Sequence, residues 1–215
     1  MNQTKGNFDS VRLYALLTEA HCRGPWLETA ERLLSGGVDV IQLREKGLSD
    51  AEMLRRARTL RALTREYGKQ LVINDRPDVA MLADADGVHL GQDDLPIEEV
   101  RNILPKGIII GLSTHTVDQA AAAQMRGADY IGVGPAFATE TKGYEAGGGG
   151  GLVRRLCAAT NLPTVAIGGI DQSRIATIIS AGARAIAACG ALCGAADPEQ
   201  AAREMREAIL EAQEQ

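Results

Sequence analysis

Eight short apolar runs, spread along a single chain, constrain this sequence more than any other feature. They read VRLYALL (11–17), VDVIQL (38–43), QLVIN (70–74), GVHL (87–90), GIIIGL (107–112), DYIGVG (129–134), PTVAIGG (163–169) and AIAAC (185–189). They are rich in Val and Ile and mostly continuous rather than alternating. Strands read this way when both faces are buried, and such strands belong to parallel sheets covered by helices. Helical spacing fills the gaps. Pro25 to Ser35 carries Leu27, Ala30, Leu33 and Leu34 on one face. Ser49 precedes Glu52 by three residues at the head of a helix running to Tyr67, a capping-box signature. Further helices are expected at 96–104, 116–125, 150–159, 173–181 and 197–212, with a short one at 77–83. The phrases GGVDVIQ (36–42), RGADYIGVG (126–134) and AGARAIAAC (181–189) each join a helix end to a strand through glycine. Eight such units in 215 residues point to a single (β/α)8 barrel over 1–215. A doubly wound sheet, which usually has fewer strands, is the alternative.

Composition narrows the class. Apolar residues make up 45% and charged residues 24%, which excludes disorder and disulfide-dense miniproteins. Aromatics are only 3%, so Ala, Val, Ile and Leu must build the core. A net charge of −5 and so few aromatic rings argue against nucleic-acid binding. No apolar run reaches the roughly 18 residues of a membrane span. Residues 1–10 are polar, lack the apolar stretch of a signal peptide and read as a flexible tail. The four cysteines show no CxxC spacing and read as free thiols of a cytoplasmic protein.

In a (β/α)8 barrel the site lies at the C-terminal strand ends. The polar residues that follow each run are therefore the candidates. Arg44, Lys46 and Lys142 are cations, and Asn74 and Ser113 are neutral hydrogen-bonding groups. Together they suit a highly charged oxyanion such as a pyrophosphate. Asp75 and Asp94 are hard oxygen donors of the kind that hold Mg²⁺, with phosphate and water completing the shell. Carboxylates beside a pyrophosphate repel it unless a metal bridges them. Each aspartate also has an ordinary alternative as a helix cap, Asp93 or Asp94 for the helix near Pro96. Gly168-Gly169 and the segment from Ala185 onward lie where such barrels often bind a phosphate. Two anion sites follow from this reading, one metal-assisted and one plain.

The strings QLREK (42–46), IND (73–75), GVHLGQDD (87–94), GLSTHT (111–116), IGVGPAFATETK (131–142) and AIGGI (166–170) resemble thiamine phosphate synthase, from about Leu13 to Arg206. The resemblance implies a transferase. It would join 4-amino-2-methyl-5-pyrimidinylmethyl pyrophosphate to a thiazole ethyl phosphate, with or without a carboxylate, releasing pyrophosphate. It implies that Gln42, Leu43, Arg44, Glu45, Lys46, Asn74, Ser113 and Lys142 hold the pyrimidine pyrophosphate. Arg44, Lys46, Ser113 and Lys142 would act on the leaving group. Asp75 and Asp94 would bind Mg²⁺. Thr139, Glu140, Thr141 and Gly169 would contact the thiazole phosphate, with Cys189 and Gly190 at the end of the eighth run. The implied chemistry is dissociative and needs charge neutralisation and exclusion of water more than acids or bases.

Two departures stand out. The family usually carries a serine after its eighth strand, where this chain has Gly190. Gly147 to Gly151 is an uninterrupted glycine run, either a linker into the sixth helix or a flap. Two other functions stay open: a thiazole tautomerase, which needs neither pyrophosphate nor metal site, and a catalytically silent phosphate-binding relative. The expected partners are small molecules; barrels of this kind often form homodimers, but the sequence names no specific patch and leaves the oligomeric state open.

Overall fold

Every apolar run becomes a strand: β1 (Leu13–Leu17), β2 (Val40–Leu43), β3 (Gln70–Asn74), β4 (Gly87–Leu90), β5 (Ile109–Thr114), β6 (Tyr130–Val133), β7 (Thr164–Ile167) and β8 (Ala185–Ala188). The structure is a computed structural model that describes residues 8–138 and 147–214. The strands pair in chain order, all parallel, and β8 returns to β1 to close an eight-stranded barrel. This is the expected (β/α)8 fold, not a doubly wound sheet.

The helices are α1 (Trp26–Ser35), α2 (Asp50–Glu66), α3 (Pro77–Leu82), α4 (Ile97–Ile103), α5 (Val117–Ala123), α6 (Gly149–Ala158), α7 (Ile175–Ser180), α8 (Gly190–Cys193) and α9 (Pro198–Gln213). The single turn α8 is too short for periodicity to reveal. α7 starts later than expected because Gln172–Arg174 forms a 3-10 turn first. Only half of the capping box forms at α2. Ser49 Oγ accepts from the Glu52 amide at 3.3 Å, but the Glu52 carboxylate pairs with Arg55 and Arg56 instead. A complete box forms at α5, between Thr116 and Gln119. No helix among the described residues is long and apolar enough to cross a membrane.

Side-chain alternation splits each strand between two apolar layers. Leu13, Ala15 and Leu17 face the helices, whereas Tyr14 and Leu16 face the barrel interior. Both layers are buried, which is why the runs read as continuous. Phe8 closes the interior from the N-terminal side. It sits in a 3-10 turn over Phe8–Ser10 and stacks on Tyr130 with ring centroids 3.9 Å apart. The expected tail over 1–10 is thus corrected at its end: burying an aromatic ring outweighs the entropy of ordering this turn. Residues 1–7 lie outside the described residues.

The recurring helix-to-strand phrase has a physical purpose. Asp39, before β2, accepts from the amides of Arg12 and Leu13 at 3.0 and 3.2 Å. It also takes Lys69 at 2.8 Å and Arg206 of α9 at 2.6 Å. Asp86 repeats this with the Leu71 amide and Arg61, and Asp129 with the Ile110 amide and Arg101. Each aspartate stitches one strand start to its neighbour and to a basic residue beyond.

Candidate active site

A cavity of about 490 Å³ opens at the C-terminal strand ends. Its floor is a chain of hydrogen bonds crossing the barrel. Gln42 Nε2 donates to Tyr14 Oη at 2.7 Å, and Tyr14 Oη lies 3.1 Å from Tyr130 Oη. Tyr130 Oη lies 2.9 Å from His89 Nδ1, and His89 Nε2 lies 2.9 Å from Ser113 Oγ. Tyr14 is buried, so its hydroxyl hydrogen needs an acceptor within the chain. One order supplies it: Tyr14 donates to Tyr130, Tyr130 donates to His89 Nδ1, and His89 Nε2–H donates to Ser113. This assigns the histidine tautomer from the network, with Ser113 Oγ accepting from the imidazole. Burial raises both tyrosine pKa values above the ordinary phenol, so both remain neutral.

The expected site residues divide. Gln42, Asn74, Ser113, Gly169, Cys189 and Gly190 all line the cavity. Leu43 does not: it is fully buried in the layer between barrel and helices, because alternation along β2 turns it away from Gln42. Glu45 also stands outside the cavity lining. Its carboxylate accepts from the Glu19 amide at 2.7 Å and lies 3.4 Å from Arg56, clipping the β1 loop to α2. Neither side chain lines the cavity. Arg44 is buried, and Lys46 is exposed beyond the strand end. The Cys193 thiol and then the Arg44 charge favour the Cys189 thiolate, lowering that pKa below the ordinary thiol value against burial. Thr139, Glu140, Thr141 and Lys142 lie outside the described residues.

Asp75 and Asp94 stand at the ends of adjacent strands, outside the cavity lining. Asp75 holds a left-handed backbone with φ 61°, and its amide donates to His89 O at 2.9 Å. Left-handed backbone is strained in a non-glycine residue. Asp94 is no cap for α4; its Oδ2 accepts from the Gly91 amide at 2.6 Å. Among the described residues no cluster of three or more His, Cys, Asp or Glu converges as a metal site. The two carboxylates nevertheless fit Mg²⁺ in donor type, since that ion takes one or two carboxylates and fills its shell with substrate oxygens and water.

On the opposite side, Gly168 and Gly169 adopt φ 105° and 56°. A Cβ on Gly169 would overlap the Ala138 carbonyl. Glycine is therefore required for this loop to pass beneath the β6 loop, where the Phe137 amide donates to Gly168 O at 2.9 Å. Sequence reasoning missed Tyr14, Tyr130 and Arg174 as lining residues. The two tyrosines lie inside apolar runs, and no residue pattern in a strand buried on both faces reveals which side turns inward.

The profile of the thiamine monophosphate synthase family matches residues 13–192. The thiamine-phosphate synthase of Moorella thermoacetica is 43% identical over 203 residues, 93% of this chain and 96% of that protein. The thiamine-phosphate synthase of Methanoculleus marisnigri is 44% identical over 203 residues, 93% of this chain and 96% of that one. The solved thiamine phosphate pyrophosphorylase from Pyrococcus furiosus superimposes with a TM-score of 0.89 at 36% identity, covering 96% of this chain and 99% of that one. A 3-hexulose-6-phosphate synthase structure, TM-score 0.70 at 23% identity, covers 93% of this chain and 100% of that one and shares the fold alone. With its closed barrel and its cavity at the strand ends, the chain belongs to the thiamine monophosphate synthase family, and its activity is thiamine phosphate synthesis.

Proposed function

We propose that the cavity joins 4-amino-2-methyl-5-pyrimidinylmethyl pyrophosphate to a thiazole ethyl phosphate by a dissociative reaction. One observation carries this reading: a neutral hydrogen-bonded chain, Gln42–Tyr14–Tyr130–His89–Ser113, faces a diglycine loop across a single cavity. The neutral chain suits a heteroaromatic ring with an amino substituent. The diglycine loop and the Cys189–Gly190 segment suit a phosphate, which backbone amides can bind. Asp75 and Asp94 would hold Mg²⁺, whose charge would offset that of the pyrophosphate.

The residues of this chain then have defined tasks. The C–O bond to pyrophosphate breaks heterolytically, and the pair of electrons leaves with the pyrophosphate. Arg44, Lys46 and Lys142 offset the charge that accumulates there. Electron donation from the aminopyrimidine ring stabilises the methylene cation, while Ser113 and Gln42 hold the ring. The apolar walls, Leu16, Ile167 and Ala187 among them, keep water from the cation. The thiazole nitrogen supplies the electron pair for the new C–N bond; a carboxylate on the thiazole leaves as CO₂. Four free thiols fit the reducing cytoplasm as the place of this reaction.

The test is direct. Purified protein with both substrates and Mg²⁺ is expected to yield equal amounts of thiamine phosphate and pyrophosphate. Binding of both substrates without product would leave a silent relative. Turnover of a thiazole carboxylate alone would point to an isomerase.

A further inference from the structure

Among the described residues that line the cavity, Arg174 is the only arginine or lysine. It ends the 3-10 turn after β7, five residues past Gly169. Its Nη1 donates to the Gly169 carbonyl at 2.5 Å. Its guanidinium lies 4.5 Å over the Phe137 ring. Phe137 belongs to the β6 loop and Gly169 to the β7 loop, so one side chain fastens both loops at the cavity wall. Among the described residues the nearest carboxylate, Asp171, stands at 3.6 Å, beyond hydrogen-bond length, and the Arg174 side chain is 42% exposed. A guanidinium carries five N–H donors in a planar fork, and the Gly169 carbonyl takes one of them.

We propose that Arg174 is a substrate-contacting residue that selects the phosphorylated thiazole, by donating to the phosphate monoester held at the β7–β8 strand ends. The inference rests on the reading of this cavity as a two-substrate transferase site. The diglycine loop alone offers only backbone amides, which bind an anion without adding net charge. Arg174 brings a guanidinium to that loop, its charge partly offset by Asp171 at 3.6 Å, and its stacking on Phe137 fixes the plane of the fork. The pyrimidine pyrophosphate is assigned to the β2–β5 side, so its binding should not depend on Arg174.

The test compares Arg174→Gln and Arg174→Lys with the unaltered protein. Calorimetric titration uses two probes, the thiazole ethyl phosphate and the corresponding unphosphorylated thiazole ethanol. Arg174→Gln is expected to weaken phosphate-ester binding about ten- to hundredfold and to leave the alcohol unchanged. Arg174→Lys, which keeps the charge but loses the fork, is expected to fall between. KM for the pyrimidine pyrophosphate should hold while KM for the thiazole phosphate rises. Unchanged affinity for the phosphate ester overturns the proposal. So does an equal loss for ester and alcohol, which would make Arg174 only a prop for the loops. If the unaltered protein binds neither thiazole and forms no product, the transferase reading fails first. Inorganic phosphate, titrated into the same proteins, then still decides on Arg174, since equal affinity in both would overturn its role as an anion contact.

Discussion

Gly111 of β5 leaves the space that the Tyr130 ring of β6 fills. A Cβ at Gly111 would overlap Tyr130 Cζ and Oη. That Oη is the atom hydrogen-bonded to Tyr14 and His89. The absent side chain on one strand therefore positions the hydroxyl at the centre of the cavity floor.

Gly111→Ala is accordingly expected to destabilise the fold by about 1–3 kcal/mol, the range for overpacking a filled core. It should also lower activity by displacing Tyr130. Tyr130→Phe removes the hydroxyl but keeps the ring, and takes away the acceptor of the Tyr14 hydroxyl hydrogen and the hydrogen bond to His89 Nδ1, at about 1–3 kcal/mol. Urea unfolding of both variants beside the unaltered protein checks the pair. A Gly111→Ala protein with unchanged midpoint and activity would contradict the packing.

Stability should fall in acid through Asp39. Burial opposes its ionisation, but Lys69, the Arg12 and Leu13 amides and Arg206 together outweigh that and lower its pKa below the ordinary 3.8. A depressed carboxyl pKa contributes stability above the unfolded value and loses it as pH falls through the folded value. Asp39→Asn should therefore destabilise the protein at pH 7 by about 1–3 kcal/mol. The gap should narrow as pH drops below 3.8. A gap that stays constant from neutral pH into that acid range would exclude Asp39 as the source.

Activity should require a divalent cation through Asp75 and Asp94. Asp75→Asn or Asp94→Asn is expected to reduce kcat/KM about a hundredfold or more, several kcal/mol of transition-state stabilisation. Chelator should abolish turnover of the unaltered protein, and added Mg²⁺ should restore it. Full activity in excess chelator would defeat the assignment.

Gly190→Ser would add the hydroxyl that the resemblance leads one to expect after the eighth strand. Nothing stands within 4 Å of a Cβ built at Gly190, and its φ lies outside the left-handed region, so the serine enters without strain. One added hydrogen bond to a charged group is worth about 1.5–3 kcal/mol. Thiazole phosphate should bind about tenfold tighter or more, with pyrimidine pyrophosphate affinity unchanged. Calorimetry on a folded Gly190→Ser protein that shows no gain would remove this position from the phosphate site.

The sequence by itself determined the barrel. Strands buried on both faces must be continuously apolar, so β3 and β4 could be read to their end residues. The strand ends are where loops begin, so the cavity-lining places of Gln42, Asn74, Ser113 and Gly169 were legible in the sequence. Only the tertiary structure decided which side of each strand faces the cavity. Leu43 and Gln42 are neighbours in one run and alternation turns them to opposite faces; closure of the barrel decides that Gln42 takes the cavity side and Leu43 the helix side. Tyr14 and Tyr130 are separated by 116 residues and meet through barrel closure, not through any local pattern. Arg174 reaches the cavity because a 3-10 turn delays α7 and lets its side chain fold back over Gly169 and Phe137. Local periodicity records what is buried, whereas the facing of side chains across a closed sheet is set by register and closure, which no short window of sequence contains.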